Sequence, residues 1–282
     1  MFNTLLSMSS KTETNGMSNT FRTTIRNNLT YRFLKEGVSR FDLHILDRSW
    51  CTYLSLSLVF TVINWVTLKN VMPWIDEVMF LDTSYNAVYH HTWSTTAWYR
   101  VAGEYPFSTY PPIYQFLVST WMWLFGADIL VVRSLNLFIV FLLGALCLLM
   151  LKNRGVLLSP WLVAVFTLLL WGTSEMAWMY RNGRPDMLCA LVFAFTIYTI
   201  ERFFRRNSLK TRIGIVLSAA LLVGTGLQTV AYLGILWLFL FLMLRKHSKQ
   251  LLKLLLLLLF GLFLGMFMVA LFMYAHGRLI GF

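Results

Sequence analysis

Residues 251–274 read LLKLLLLLLFGLFLGMFMVALFMY, with Lys253 as the one charged position. At a rise of about 1.5 Å per residue, a helix of that length covers about 36 Å, more than the roughly 30 Å hydrocarbon core of a bilayer. Lipid offers no partner to backbone amides, so such a run must be helical. The run also lacks the two-residue alternation of a membrane strand. Seven further apolar stretches lie at 50–69, 112–125, 131–151, 160–180, 186–204, 213–227 and 229–244. The 282-residue chain is 58% hydrophobic and 13% charged, with a mean hydropathy of +0.65. It reads as an all-α, polytopic membrane bundle.

The weakest of the eight stretches is 112–125, whose length gives about 21 Å of helix. Segments that short lie at the interface or re-enter. Removing it leaves about seven transmembrane helices and sorts the charges: eighteen of the 24 Lys and Arg then fall on the side of the N-terminal tail. The positive-inside tendency puts that side in the cytoplasm. The organisation expected is a cytoplasmic tail over 1–48 and a membrane module over 49–282, with an outer loop at 70–130. The net charge of +12 is spread over the tail and short loops, which excludes a basic nucleic-acid face. Cys51, Cys147 and Cys189 have no CxxC spacing and no neighbouring histidine, so neither a disulfide framework nor a zinc site is indicated.

Just past the first span stands the acidic pair Asp76-Glu77. Ile75, Val78, Leu81, Tyr85 and Val88/Tyr89 recur every three or four positions, which predicts an amphipathic interfacial helix over 74–91. Acids in its first turn have two readings. They stabilise the helix macrodipole, or they bind or deprotonate a ligand. His90-His91 at its far end reads as interfacial.

A second polar group follows the 160–180 span: Glu175, then Arg181-Asn182-Gly183-Arg184-Pro185-Asp186. Paired arginines at a turn suit a phosphate, since guanidinium offers two parallel donors; the alternative is that both snorkel to headgroups while Asp186 caps the next helix. Arg133, at the outer start of its span, needs a partner so close to hydrocarbon. Gln228, at the glycine-containing join 224–229, falls on the same outer side. Seven carboxylates (Asp76, Glu77, Asp82, Glu104, Asp128, Glu175, Asp186) thus gather on the outer face of a basic chain, which marks a site. Carboxylates can hold a divalent cation such as Mg²⁺ or Mn²⁺, but two adjacent acids do not make a metal site, and no cofactor is otherwise indicated.

These features together resemble a known family. The acidic pair after the first span, Tyr110-Pro111-Pro112-Ile113-Tyr114 leading into Trp121-Met122-Trp123-Leu124-Phe125-Gly126, then Arg133, and Arg184-Pro185-Asp186-Met187-Leu188 opening a later span, look like the dolichyl-phosphate-mannose protein mannosyltransferase and aminoarabinose transferase group. Those are membrane glycosyltransferases of the GT-C fold. The resemblance spans 50–282 and corresponds to their N-terminal module. It implies seven spans with juxtamembrane helices in the first outer loop, and transfer of a sugar from a polyprenyl-phosphate donor to a hydroxyl or amine. The acceptor would be a lipid, glycan or protein at the outer face, in a bacterial inner membrane rather than the endoplasmic reticulum. By the same match Asp76 is the catalytic base and Glu77 assists with the acceptor. Arg133 and Arg184 lie near the donor phosphate, and Arg181, Asp186 and Tyr110 are further binding positions. A membrane transporter and a non-catalytic membrane subunit derived from this fold are the alternatives. A transporter would place its charges near the midplane, often with internal repeats, whereas here the acids collect at one face and no repeat is found.

Overall fold

The structure is a computed structural model that describes residues 48–68, 75–95, 112–226, 228–244 and 248–275. Among these the chain forms helices and no strand: α1 (Arg48–Leu68), α2 (Ile75–Tyr89), α3 (Ile113–Phe125), α4 (Ile129–Asn153), α5 (Pro160–Gly172), α6 (Ser174–Arg181), α7 (Asp186–Arg205), α8 (Leu209–Thr225), α9 (Gln228–Leu244) and α10 (Ser248–Ala275). Four of them, α1, α4, α7 and α10, are long and apolar enough to cross a bilayer, and the bent pair α5 and α6 makes a fifth. The protein is a helical membrane protein. Helix α3 has 13 residues, about 20 Å, and falls short of a span. Helices α8 and α9 have 17 residues each, about 25 Å.

Helix α1 shows why these sequences fold as they do. Its buried residues are Ser49, Tyr53, Ser57, Asn64 and Leu68, while Leu58, Val62, Ile63 and Val66 face outward. The polar side chains turn inward because lipid is as apolar as leucine and leaves van der Waals contact and hydrogen bonding to hold helices together. Several of them satisfy themselves on the preceding turn: Thr61 Oγ1 donates to Ser57 O at 2.7 Å and Asn64 Nδ2 to Phe60 O at 2.8 Å. At the helix start Ser49 donates to Leu158 O, which sets α1 against the α4–α5 connection.

Helix α4 is the central post. It starts on Asp128, whose side chain accepts from Leu130 N at 2.7 Å, and its buried face runs through Val132, Leu135, Ile139, Val140 and Leu143. Gly144 allows Tyr53 of α1 to cross it closely: an added Cβ would meet the Tyr53 ring and come within 2.6 Å of Leu170 Cδ2. Tyr53 Oη then donates to Phe141 O at 2.5 Å.

One expectation changes. The stretch 160–180 is two helices bent by 60° at Thr173, whose backbone is extended at φ −72° and ψ 142°. Tyr180 Oη reaches back across the bend to donate to Trp171 O at 2.6 Å. The amphipathic helix expected over 74–91 forms as α2, and two of the apolar positions that predicted it, Leu81 and Val88, pack against the core. It buries Glu77, Thr83, Ser84 and Asn86, and exposes Val78, Tyr85 and Tyr89. Its polar side meets α3: Ser84 Oγ donates to Gln115 O at 3.3 Å and Ser119 Oγ to Ser84 O at 3.4 Å.

Helices α8 and α10 run parallel in close contact. A Cβ on Gly261 would lie 2.5 Å from Val216 O, and one on Gly265 2.6 Å from Ala220 O, so glycine is what lets the two backbones approach. The same register carries the start of α10 to the start of α8. The bundle therefore has two distinct ends. One gathers Leu68, Glu77, Tyr114, Arg133 and the 182–186 turn. The other gathers the start of α1, the α4–α5 and α7–α8 connections and the start of α10.

Candidate functional site

At the first end, Glu77 and Arg133 form an ion pair with 0% and 1% of their side chains exposed. Arg133 Nε donates to Glu77 Oε1 at 2.7 Å and its NH2 to Oε2 at 2.8 Å, the two-pronged geometry that guanidinium and carboxylate share. Its remaining prong, NH1, donates to Leu68 O at 2.7 Å and so closes the carbonyl end of α1. Gly183 N donates to Glu77 Oε1 at 2.9 Å. A Cβ at residue 183 would sit 3.0 Å from both Glu77 Cγ and Val132 Cγ1, so a side chain there would push the carboxylate away.

Around this pair lies a buried amide and phenol relay. Asn136, one helical turn beyond Arg133, donates through Nδ2 to Asn182 O at 2.5 Å and to Arg184 O at 3.0 Å. Tyr114 Oη donates to Asn136 Oδ1 at 3.3 Å. Burial first, and then the nearby Glu77 charge, push the Tyr114 phenol well above its usual range, so it remains a donor. One network thereby joins the end of α1, the first turns of α2 and α3, α4 and the turn before α7. A buried pair of this kind is tolerable only when every prong finds a partner.

The arginines expected at a phosphate divide into three environments. Arg133 is enclosed. Arg181 donates through NH2 to Thr67 Oγ1 at 3.1 Å, and its buried Nε finds no partner among the described residues. Arg184 is the more open one: its Nε donates to Asp186 Oδ2 at 2.8 Å, with the two side chains 26% and 24% exposed. Asp186 does not cap α7 through its side chain. Pro185 holds that position, and Asp186 pairs with Arg184 from the first turn.

Glu77 thus anchors the helix that carries Asp76, because both of its oxygens are engaged by protein donors, and acceptor contact is not what its geometry offers. Asp76 opens α2 one residue earlier; its side chain lies outside the described residues, as do Tyr110, Glu104 and the side chain of Gln228. The start of α9, where Gln228 stands, is at the same end, since Gly224 packs on Ile113 and Cys189 Sγ donates to Thr225 O at 3.4 Å. Asp82 accepts from Thr95 Oγ1 at 2.8 Å. Glu175 and Asp128 are exposed. Among the described residues no group of three His, Cys, Asp or Glu is gathered as a metal would require.

Asn136, Asn182 and Gly183 are the residues that sequence reasoning missed. A signal was present: Asn136 is a polar residue in an otherwise apolar span, three positions from Arg133 and so on the same face. Compared with known family models, with curated proteins and with solved structures, the chain matches none.

Proposed function

We propose that this chain is a membrane glycosyltransferase of the GT-C type, which moves a sugar from a polyprenyl-phosphate donor to an acceptor hydroxyl or amine at the end of the bundle that carries Asp76. The reading rests on the resemblance of the ordered motifs over 50–282, and one structural observation supports it above others. Glu77 is locked to Arg133 and to Gly183 N, so the first turn of α2 is held rigidly beside the Arg184–Asp186 turn. Catalytic groups need such fixed support, because a displacement of about 1 Å costs rate heavily. In this reading α8 and α9 are short, tilted crossings that complete seven spans, and the N terminus is cytoplasmic. Asp76 takes the proton of the acceptor hydroxyl as its oxygen bonds to the anomeric carbon and the polyprenyl phosphate leaves. Arg184, with Arg181 beside it, faces the departing phosphate, and Glu77 and Arg133 act as positioning residues.

The deciding variant is Asp76→Asn, which keeps shape but cannot accept a proton at neutral pH. Loss of a general base costs about 10²–10⁴ in rate, whereas loss of a helix-dipole contact costs about 1 kcal/mol of stability and leaves turnover intact. Transfer from a polyprenyl-phosphate sugar, compared at matched expression, should fall by at least a hundredfold. Equal turnover would return Asp76 to a helix-start role, and flux of a lipid or sugar without transfer would favour the transporter. Arg184→Ala should weaken donor binding about tenfold or more while the purified protein stays monodisperse. Unchanged donor affinity would make Arg184 a headgroup anchor.

A further inference from the structure

The opposite end of the bundle has a different chemistry. Arg48 opens α1; Lys152 and Arg154 close α4; Arg202, Arg205 and Arg206 close α7; Lys210 and Arg212 open α8; Lys249 and Lys253 open α10. Against these ten cations Glu201 is the one carboxylate at this end among the described residues. It is already shared, with Arg154 Nε at 3.1 Å and Arg205 NH2 at 2.6 Å. Arg206, Lys210, Lys249 and Lys152 are exposed and have no acidic partner among the described residues.

Packing concentrates this charge. The contacts of Gly261 with Val216 and of Gly265 with Ala220 set α10 parallel to α8. Lys253 stands eight residues before Gly261 and Lys210 six before Val216, so at about 1.5 Å per residue the two come to within about one turn of the same height. Arg205 NH1 donates to Asn153 O at 2.5 Å, which brings the ends of α4 and α7 to that level too. Large apolar side chains stand outward among the cations: Leu157 is 92% exposed, Trp161 76% and Leu209 70%. A water-facing surface has no use for such residues, whereas the boundary between headgroups and acyl chains takes both kinds at once.

We propose that this end, centred on Arg206, Lys210 and Lys253, is a docking surface for anionic phospholipid headgroups, selective for them over zwitterionic lipid. The cations are carried on helix ends, so binding requires little ordering of the backbone. The surface lies at the other end of the bundle from the proposed transfer site and does not depend on that reading.

The test uses the full chain in neutral detergent, with phosphatidylglycerol or phosphatidylcholine titrated in and thermal unfolding recorded, because a ligand that binds the folded state alone raises its stability in proportion to ln(1 + [L]/Kd). Phosphatidylglycerol should bind at least tenfold more tightly, and the preference should shrink in high salt. The variant Arg206→Gln/Lys210→Gln/Lys253→Gln should weaken it by about fivefold per cation removed. Arg206→Lys/Lys210→Arg/Lys253→Arg, which keeps every charge, should retain the preference, and the pair Lys210→Gln/Lys253→Gln serves if the triple variant does not fold. Equal stabilisation by both lipids, or full selectivity in the Gln variants, overturns the proposal. Inorganic phosphate that reproduces the whole effect would also overturn it, since an anion alone would then suffice.

Discussion

Glu77 and Arg133 illustrate how a charge is kept inside a helical bundle. Each ion alone would cost several kcal/mol to bury, and the attraction between them offsets this only because three guanidinium donors and both carboxylate oxygens are occupied. Removing one partner should therefore hurt more than removing both. Glu77→Ala or Arg133→Ala alone is expected to lower unfolding stability in detergent by about 3–5 kcal/mol, while Glu77→Leu/Arg133→Met should recover much of that loss. A double variant no better than the sum of the singles would mean that the pair is not the unit of stability. Asn136 contributes at the same scale by donating to Arg184 O and, beside the Arg184 amide, to Asn182 O.

At the scale of elements, the bundle is assembled through small residues and inward-facing polar groups rather than through an apolar core against water. The α8–α10 seam depends on Gly265, where a Cβ would lie 2.6 Å from Ala220 O and 3.0 Å from Val223 Cβ. Those neighbours include rigid backbone and cannot rotate away. Gly265→Ala should cost about 1–3 kcal/mol by forcing the helices apart. Gly172→Ala is the matched control, since a Cβ there meets nothing within 4 Å; it should be neutral or stabilise by about 0.4–1 kcal/mol through the unfolded chain. Comparable melting temperatures for the two variants would contradict the seam. Helix α2 obeys the same logic. Its polar face turns in to meet Gln115 and Ser119 of α3, which leaves Tyr85 and Tyr89 at the boundary where amphipathic rings are favoured.

Over the whole molecule the charges separate along the bundle. Among the described residues, acids and three arginines collect at the end with the Glu77 network, and ten cations with one acid collect at the other. In the proposed topology the two ends lie on opposite sides of the membrane and α3 does not cross. Reporter fusions truncated after Asn153 and after Asn207 should consequently report the same compartment, and one truncated after Asp128 the opposite one. Asn153 and Asn207 on different sides would require α5 and α6 to be a re-entrant pair rather than a bent span.

By itself the sequence determined that this is an all-helical membrane protein, where its long apolar runs lie and that 112–125 is too short to cross, because helix length and lipid solubility are local properties of the chain. The acidic pair, Arg133 and the 181–186 turn were legible as polar groups that needed an explanation. Which groups meet was decided only by tertiary structure. A 3.6-residue period told that α2 has two unlike faces but not that Ser84 on the polar one would meet Gln115 and Ser119 of α3. The bend at Thr173 is bridged by Tyr180 Oη donating to Trp171 O, a contact that no window of hydropathy contains. Arg133 could be read as a phosphate ligand until packing enclosed it with Glu77, 56 residues away in the chain, and with the end of α1. The physical reason is the same throughout: in lipid the apolar surface sets only where helices lie, and the few hydrogen-bonding groups, which must satisfy one another, set how they fit together.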